Sequence, residues 1–415
     1  MTGSRMSPEA LRAGWAEIDL DALRHNVRAL QGVLAPPARL CVVVKANAYG
    51  HGAVEVARAA ADAGAWGFGV ATVDEAEELR RAGLRDPVIL LDLTTPEEAG
   101  RIVAHDIAAA VADLESARAL SEAAALQRRT ARLHLKVDTG MGRAGCTPDA
   151  APALAGAIAA LPAATLEGCF THFPDADAPD LTPVRGQLTM FADVMRGLRA
   201  AGLSRVLRHA ANSAATLALP ESHFDLVRCG IAAYGILPAP HLAARVPLRP
   251  VMRLCARVVQ VKRVPPGTTV GYGREYRTPR ETTIATVPLG YADGYPRLAW
   301  PSATVALAAR RGGRRVPLAG RISMDQLTVD AGDGEVRKGD EVELWGPAVP
   351  VEEVAAAAQT IPWELLVRVA PRVPRVYTAG GAVRSVRTLI AAWDLSAAAE
   401  GSSRRARRVS GRAGR

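Results

Sequence analysis

A lysine at the end of a buried strand is the first residue of this 415-residue chain that could do chemistry. The apolar run Cys41-Val42-Val43-Val44 predicts a buried β-strand, and Lys45 follows it directly. Burial at a strand exit lowers the pKa of an amine, and a neutral lysine amine can form a Schiff base with an aldehyde. An isolated lysine in such a position more often extends to solvent, so Lys45 has to be judged together with other strand ends.

Polar residues also follow several other predicted strands. Beside Lys45 and Tyr49 on strand one, they are Lys136 and Arg143 at strand five, His172 at strand six, His209, Asn212 and Ser213 at strand seven, and Arg228, Gly230 and Ile231 at strand eight. Active sites of (β/α)8 barrels lie at these strand ends, and the loops after strands seven and eight commonly bind phosphate. A lysine opposite a phosphate site suggests pyridoxal phosphate, a phosphorylated aldehyde cofactor.

The elements that would carry these residues repeat along the first part of the chain. Short apolar runs alternate there with amphipathic, helix-period segments, and the runs are 40–45, 66–71, 88–92, 107–113, 132–138, 165–173, 206–212 and 226–230. Such an alternation predicts an α/β fold with an N-terminal (β/α)8 TIM barrel over residues 15–247. The strand-like segment 15–20 precedes the first barrel strand by a helix, which leaves open whether it pairs with a second domain.

From about residue 248 to 385 the pattern changes to short alternating segments with frequent turns, which predicts a C-terminal mainly β domain. Its conspicuous motifs are Gly271-Tyr272-Gly273, Gly290-Tyr291 and the segment 320–326 that contains Met324. Three of the seven tyrosines fall between Tyr272 and Tyr291. Glycines on both sides of Tyr272 predict a turn that presents its ring, although core packing is the usual role of a tyrosine.

Charge and cysteine content exclude several function classes. The net charge is +9, but residues 401–415 contain six arginines and no acids, which leaves 9 − 6 = +3 on the remainder. Residues 386–415 are therefore predicted to form a basic, largely disordered tail, and residues 1–14 are predicted to be a flexible N-terminus. Because most of the excess charge lies in this tail, we do not expect the protein to bind nucleic acid. Five scattered cysteines predict neither a disulfide framework nor a metal site, and the absence of signal-like or membrane-spanning segments predicts a cytoplasmic protein.

The motif Lys45-Ala46-Asn47-Ala48-Tyr49-Gly50-His51-Gly52 resembles the cofactor-lysine motif of bacterial alanine racemases, the fold-type III pyridoxal phosphate enzymes. The similarity extends from about Trp15 to Tyr377. Tyr272 and Tyr291, nineteen residues apart, stand as the two active-site tyrosines of that family do.

The resemblance implies a role for each matching position. Lys45 would hold pyridoxal phosphate and act as one proton-transfer base, while Tyr272, from the partner subunit of a homodimer, would be the base on the opposite face. Arg228 would face the ring nitrogen of the cofactor, and His172 and His209 would orient Arg228. The cofactor phosphate would be bound by Tyr49, Ser213, Gly230 and Ile231, with Asn212 beside them. Arg143 would contact the phenolic oxygen of the cofactor and the substrate carboxylate, and Tyr291 and the Met324 backbone would close the carboxylate end of the site. Lys136 matches a position that can be carbamylated.

The activity implied by the resemblance is interconversion of L- and D-alanine, which supplies D-alanine for peptidoglycan. Inversion of the α-carbon needs a base on each face, and the cofactor delocalises the charge that remains after proton removal. Two positions depart from the family pattern: Pro371 stands where a phosphate-binding tyrosine is usual, and Ser323 where several members carry cysteine.

Three alternatives stay open at this point. A racemase of other small amino acids, such as serine, differs only in pocket size, which the sequence does not give. A pyridoxal phosphate decarboxylase shares the barrel, but the tyrosine motifs at 272 and 291 disfavour it. A non-enzymatic pyridoxal phosphate-binding protein resembles the barrel alone, so the β domain disfavours it.

Overall fold

The computed structural model of the protein describes residues 12–307, 313–390 and 392–394. These residues form two compact units, one of residues 22–249 and one that combines the chain before residue 22 with the chain from residue 250 onward. Residues 1–11 of the predicted flexible N-terminus and the arginine-rich stretch 401–415 lie outside the described residues.

The first unit is a parallel eight-stranded barrel. After strand β1 (Gly14–Asp19) and helix α1 (Leu20–Gly32), its strands are β2 (Arg39–Val43), β3 (Gly67–Val70), β4 (Val88–Leu90), β5 (Ala108–Val111), β6 (Ala131–Lys136), β7 (Ala164–Phe170), β8 (Leu207–His209) and β9 (Leu226–Cys229). The strand order is β8-β7-β6-β5-β4-β3-β2-β9. Backbone N–H groups of Asp225 and Arg228 donate to the carbonyls of Arg208 (3.1 Å) and Ala211 (2.9 Å), which closes the cylinder. The predicted TIM barrel is confirmed.

Helical segments connect the barrel strands. They are α2 (Lys45–Tyr49), α3 (Ala53–Asp62), α4 (Val73–Arg81), α5 (Ala99–Ala104), α6 (Leu114–Leu126), α7 (Ala151–Ala159), α8 (Thr182–Ala200) and α9 (Ser213–Ala218). Strands β3, β4 and β5 are buried at every residue, as expected of a sheet that is covered on both faces. No helix among the described residues is both long enough and apolar enough to cross a membrane.

The second unit is mainly β, as predicted. Its elements are β10 (Met252–Arg257), β11 (Gln260–Val264), β12 (Thr269–Val270), β13 (Tyr276–Arg277), β14 (Thr282–Val287), β15 (Thr304–Leu307), β16 (Arg314–Pro317), β17 (Leu327–Gly332), β18 (Glu341–Trp345), α10 (Val351–Ala357), α11 (Pro362–Val367), β19 (Arg375–Ala379), β20 (Ala382–Arg387) and β21 (Ala392–Asp394). The sheets have the orders β16-β15-β18-β10-β1-β19-β20-β21, β11-β14-β17 and β12-β13.

Strand β1 belongs to this second unit, which settles the question that the sequence left open. It pairs antiparallel with β10 and parallel with β19. Strand β21 pairs with β20 and lies beyond residue 385, so the sheet continues into the segment that was predicted to be a largely disordered tail. Residues 252–264 form two strands, β10 and β11, which enter different sheets.

Candidate active site

Lys45 lies half-buried at the exit of β2 and begins a left-handed turn. Ala46, Asn47, Ala48 and Tyr49 all have φ between 52° and 55°. For residues with a β-carbon this conformation costs about 1–2 kcal/mol each, so contacts elsewhere in the fold must hold the turn in place.

Tyr234 supplies part of that support from the segment after β9. Its hydroxyl donates to the carbonyl of Val43 (2.8 Å), and its ring centroid lies 4.9 Å from that of Tyr49 and 4.5 Å from that of His51. The left-handed turn is therefore packed against the neighbouring strand end on the same barrel rim.

The corner between Tyr49, Ser213 and Gly230 fits an anionic group. A β-carbon at Gly230 would lie 2.4 Å from the Tyr49 hydroxyl oxygen, so the hydroxyl reaches this backbone only because residue 230 is glycine. The Tyr49 hydroxyl makes no hydrogen bond within the described residues, and burial raises its pKa to about 12, which keeps it a neutral donor. Ser213 Oγ accepts from the backbone N–H groups of Gly230 (3.0 Å) and Ala232 (3.3 Å), which brings the ends of β8 and β9 together.

Asn212, also predicted beside the phosphate, has both ends of its amide engaged. Its Oδ1 accepts from the Ala215 N–H (3.0 Å) as the N-cap of α9, and its Nδ2 donates to the carbonyl of Phe173 (3.1 Å). These bonds tie the end of β7 to the start of α9, so its side chain fixes the corner in which Ser213 and Gly230 lie.

Arg228 ends a buried chain of three cationic or titratable side chains. Its Nη1 lies 2.8 Å from His209 Nδ1, and His209 Nε2 lies 2.8 Å from His134 Nδ1. Nη2 donates to the carbonyls of Thr171 (2.8 Å) and Ala210 (3.0 Å), with His172 Nδ1 at 3.5 Å. No carboxylate contacts Arg228 in the part of the chain that the structure describes.

Hydrogen bonding fixes the protonation of this chain. Because a guanidinium can only donate, His209 must accept at Nδ1 and donate from Nε2, and His134 then accepts at Nδ1 and carries its proton on Nε2. Burial and the charge of Arg228 lower the pKa of His172 to about 3 and that of His209 well below 6.5. Burial, assisted by Arg132 and Arg228, lowers the pKa of His134 to about 3. All three imidazoles are therefore neutral near neutral pH.

Lys136 is a further cation on the same rim. Lys136 Nζ donates to the carbonyl of Leu91 (3.0 Å) and lies 3.8 Å from Asp92 Oδ1. Burial is the main cause that lowers its pKa, and the charges of Arg143, Arg228 and Lys45 act in the same direction. The Asp92 carboxylate opposes this shift, and the charges of Arg228, Arg143 and Lys45 also lower the pKa of His172.

The β-domain residues lie on exposed loops of the second unit. The exposed fractions are 68% for Tyr272, 42% for Tyr291 and 53% for Met324. Gly271 and Gly273 have φ of 76° and 75°, so the predicted turn that presents the Tyr272 ring is present.

The Tyr291 and Met324 loops are joined to each other. The Tyr291 N–H donates to the carbonyl of Ser323 (3.1 Å), and the Ala292 N–H to that of Met324 (3.0 Å). A β-carbon at Gly290 would lie 2.3 Å from the Ser323 carbonyl oxygen, so this approach requires glycine.

Sequence reasoning missed His134. It stands two residues before Lys136 on β6, and alternation along a strand places both on one face, which was a usable signal. Its ring also depends on Gly168, where a β-carbon would lie 2.1 Å from His134 Nδ1, and no local pattern reveals that contact.

Comparisons with known proteins agree with this architecture. Family models described as the N-terminal and C-terminal domains of alanine racemase match residues 18–238 and 251–377. The alanine racemase of Desulfovibrio desulfuricans is 45% identical over 368 residues (88% of this chain, 98% of the relative), and that of Frankia casuarinae is 47% identical over 376 residues (87% and 95%).

Solved structures give the same result. The crystal structure of alanine racemase from D-cycloserine producing Streptomyces lavendulae matches with a TM-score of 0.85 and 44% identity, covering 90% of this chain and 98% of that one. Alanine racemase from Streptomyces coelicolor A3(2) matches with a TM-score of 0.85 and 42% identity, covering 90% and 100%. On sequence and fold together, this chain belongs to the alanine racemase family of isomerases.

Proposed function

We propose that this protein is a pyridoxal phosphate-dependent alanine racemase that uses Lys45 and Tyr272 as its two bases. The observation that carries the proposal is the turn that places a half-buried lysine four residues before Tyr49. The Tyr49 hydroxyl lies against Gly230 and has no hydrogen-bond partner among the described residues. The lysine that would attach an aldehyde and the tyrosine that would bind its phosphate thus lie on one short segment.

The residues present fit the cofactor. Lys45 would attach it through its amine, Tyr49, Ser213, Gly230 and Ile231 would hold its phosphate beside Asn212, and Arg143 would contact its phenolic oxygen. When bound, the cofactor delocalises the negative charge that remains once the α-proton has left.

Arg228 would face the ring nitrogen of the cofactor. Burial lowers its pKa to about 10, so the guanidinium is still charged near neutral pH and can only donate hydrogen bonds. Its neutral histidine partners do not remove that charge. Arg228 would therefore donate to the ring nitrogen without giving up its proton, so that the nitrogen would stay unprotonated and side reactions such as transamination would be disfavoured.

The two bases would take and return the α-proton on opposite faces of the substrate. Lys45 Nζ acts on one face, and the Tyr272 hydroxyl on the other. The high exposure of Tyr272 supports its donation to the barrel of a second subunit, in a homodimer with shared active sites. Arg143, Tyr291 and the Met324 backbone would bind the substrate carboxylate. The protein would act in the cytoplasm, and its product, D-alanine, would be used for peptidoglycan synthesis.

Chiral analysis of products tests this function. Each L-amino acid is incubated with the protein and pyridoxal phosphate, and D-alanine is expected from L-alanine as the main product. Absence of D-alanine would refute the substrate assignment, and efficient racemisation of serine instead would favour the broader small amino-acid racemase.

The base assignment is tested with Tyr272→Phe. Loss of a general base should slow racemisation by about 10²–10⁴-fold while the protein keeps its cofactor colour. Tyr276→Phe is the matched control on the same hairpin, since the Tyr276 hydroxyl donates instead to Asp330 (2.5 Å). Borohydride reduction should label Lys45, and near wild-type activity of Tyr272→Phe would sink the two-base assignment.

A further inference from the structure

Glu75, on the helix that follows the next barrel strand, contacts the turn that carries Lys45. We propose that Glu75 is a positioning residue: its carboxylate holds the left-handed turn and so sets where the Lys45 amine reaches. This inference rests on the proposed function, because it assigns Glu75 a role through the lysine that attaches the cofactor.

The Glu75 carboxylate connects the exits of two adjacent strands. Its Oε1 accepts from the backbone N–H of Ala46 (2.6 Å), the residue directly after Lys45. Its Oε2 accepts from the N–H groups of Ala71 (2.8 Å) and Thr72 (3.2 Å), which follow the end of β3. Strands β2 and β3 already pair through Val43 and Gly69, so the carboxylate continues their connection beyond the ladder.

The turn needs an acceptor at this point. Inside it, the N–H groups of Ala48 and Gly50 donate to the carbonyls of Val44 (2.8 Å) and Ala46 (3.0 Å). The N–H of Ala46 precedes these bonds and finds its partner in Glu75. Without the carboxylate, four residues in a disfavoured conformation would lose the anchor nearest to Lys45.

A second side chain fixes the far end of the turn. Asn47 Oδ1 accepts from the N–H of Ala53 (2.9 Å), where α3 begins. The turn is thus held at both ends by side-chain acceptors, but only the Glu75 bond is adjacent to the lysine. Loss of Glu75 should therefore affect the lysine most directly.

Helix capping is the competing explanation for Glu75. The residue is also part of the capping box of α4, in which its N–H donates to Thr72 Oγ1 (3.3 Å). The chain offers a matched control, Thr72→Ala. This substitution removes the bond that Thr72 Oγ1 accepts and leaves in place all three bonds that the Glu75 carboxylate accepts.

The experiment compares Glu75→Ala, Glu75→Gln and Thr72→Ala in the full chain. The readouts are the dissociation constant for pyridoxal phosphate, the fraction of Lys45 labelled by borohydride, kcat and KM for L-alanine, and the unfolding temperature without cofactor. In Glu75→Ala the Lys45 amine should be displaced. A displacement of about 1 Å should lower kcat by about 10²-fold, while KM should change by less than about threefold.

The cofactor readouts separate the two explanations. Glu75→Ala should also weaken pyridoxal phosphate binding by about tenfold and reduce Lys45 labelling, because the attachment geometry is disturbed. Thr72→Ala should keep both within about twofold, although each alanine variant removes one half of the capping box. Glu75→Gln should fall between them, since its amide has one acceptor oxygen for three N–H groups.

Equal kcat and equal cofactor affinity in Glu75→Ala and Thr72→Ala would overturn the inference and leave Glu75 as a helix cap. If Glu75→Ala does not fold, the same comparison of kcat and cofactor affinity is made between Glu75→Gln and Thr72→Ala, and equal values would again overturn the inference. Failure of the wild-type protein to racemise alanine would refute the proposed function instead, and the labelling of Lys45 would still test its positioning by Glu75.

Discussion

The buried histidines behind Arg228 show how single residues tune this site. A cation with a neutral imidazole partner keeps its full charge, whereas a carboxylate partner would neutralise the pair. His134 continues the chain by accepting from His209 (2.8 Å), which fixes the His209 tautomer that Arg228 requires. The arrangement demands that these histidines stay neutral, and this has a consequence for stability.

Stability should fall when the pH is lowered from 7 to 5. The pKa of His134 is about 3 in the folded state against 6.5 as its ordinary value, so in this range the unfolded chain binds a proton that the folded chain refuses. The free energy of unfolding therefore decreases as the pH falls, by about 2 kcal/mol for this histidine between pH 7 and pH 5.

Urea unfolding of His134→Gln at the two pH values measures this contribution. The glutamine carbonyl can still accept from His209, and the decline between pH 7 and pH 5 should be about 2 kcal/mol smaller than in the wild type. His241→Gln, at an exposed position, controls for the loss of a histidine. An unchanged decline in His134→Gln would contradict the neutral-histidine chain.

At the scale of elements, the barrel could be predicted because apolar runs and amphipathic helices alternate with regular spacing. The left-handed turn of residues 46–49 could not be predicted from the sequence. Asparagine is enriched in the left-handed region, but alanine and tyrosine carry no local signal for it. The anchors of the turn, Glu75 and Tyr234, are distant in sequence, and Glu75 is 29 residues from Ala46. Alternation with Lys136 could have indicated which face of β6 His134 lies on, but its role in the histidine chain depends on contacts with β7 and β8 that the sequence does not reveal.

Loop geometry in the β domain depends on a buried carboxylate. Asp293 accepts from Arg372 Nε (2.7 Å), Arg12 Nη2 (2.9 Å) and the N–H of Gly290 (3.0 Å). Burial opposes ionisation, but the bonds from Arg12 and Arg372 outweigh it and lower the pKa of Asp293. Arg372 Nη2 also donates to Asp325 (2.6 Å), so one guanidinium joins the loops of Tyr291 and Met324.

Arg372→Gln should therefore loosen both loops. If Tyr291 and Met324 bind the substrate carboxylate as proposed, KM for L-alanine should rise about tenfold with a smaller change in kcat, and the free energy of unfolding should fall by about 1–3 kcal/mol. Steady-state kinetics and urea unfolding measure the two effects. Arg315→Gln is the control, because its bond to Glu353 (2.7 Å) is an exposed ion pair. A KM equal to that of the control would exclude a role for Arg372 in substrate binding.

At the scale of the whole molecule, the two proposed bases lie on different compact units. Lys45 is in the barrel, and Tyr272 is on an exposed loop of the β domain. Tyr291 and Met324 are exposed on the same unit as Tyr272. Large apolar side chains at the surface often mark sites of association, so these exposed residues support the proposed homodimer in which each barrel receives its second base from the partner.

Mixing two inactive variants tests that arrangement. Lys45→Ala and Tyr272→Phe are expected to be inactive as homodimers, since each lacks one base in both sites. If the sites are shared, a heterodimer has one site with both substitutions and one site with neither. Random assortment of equal amounts should make half of the dimers mixed, and activity should return to about a quarter of the wild-type value.

Co-expression with two different affinity tags allows the mixed dimers to be isolated and assayed directly. Purified heterodimers should then have about half of the wild-type activity per dimer, because one of their two sites is intact. The tagged wild-type pair, prepared in the same way, gives the reference value. If Lys45 and Tyr272 of one subunit served the same site, each heterodimer would have one site without its lysine and one without its tyrosine, and activity would stay at the level of the parent variants.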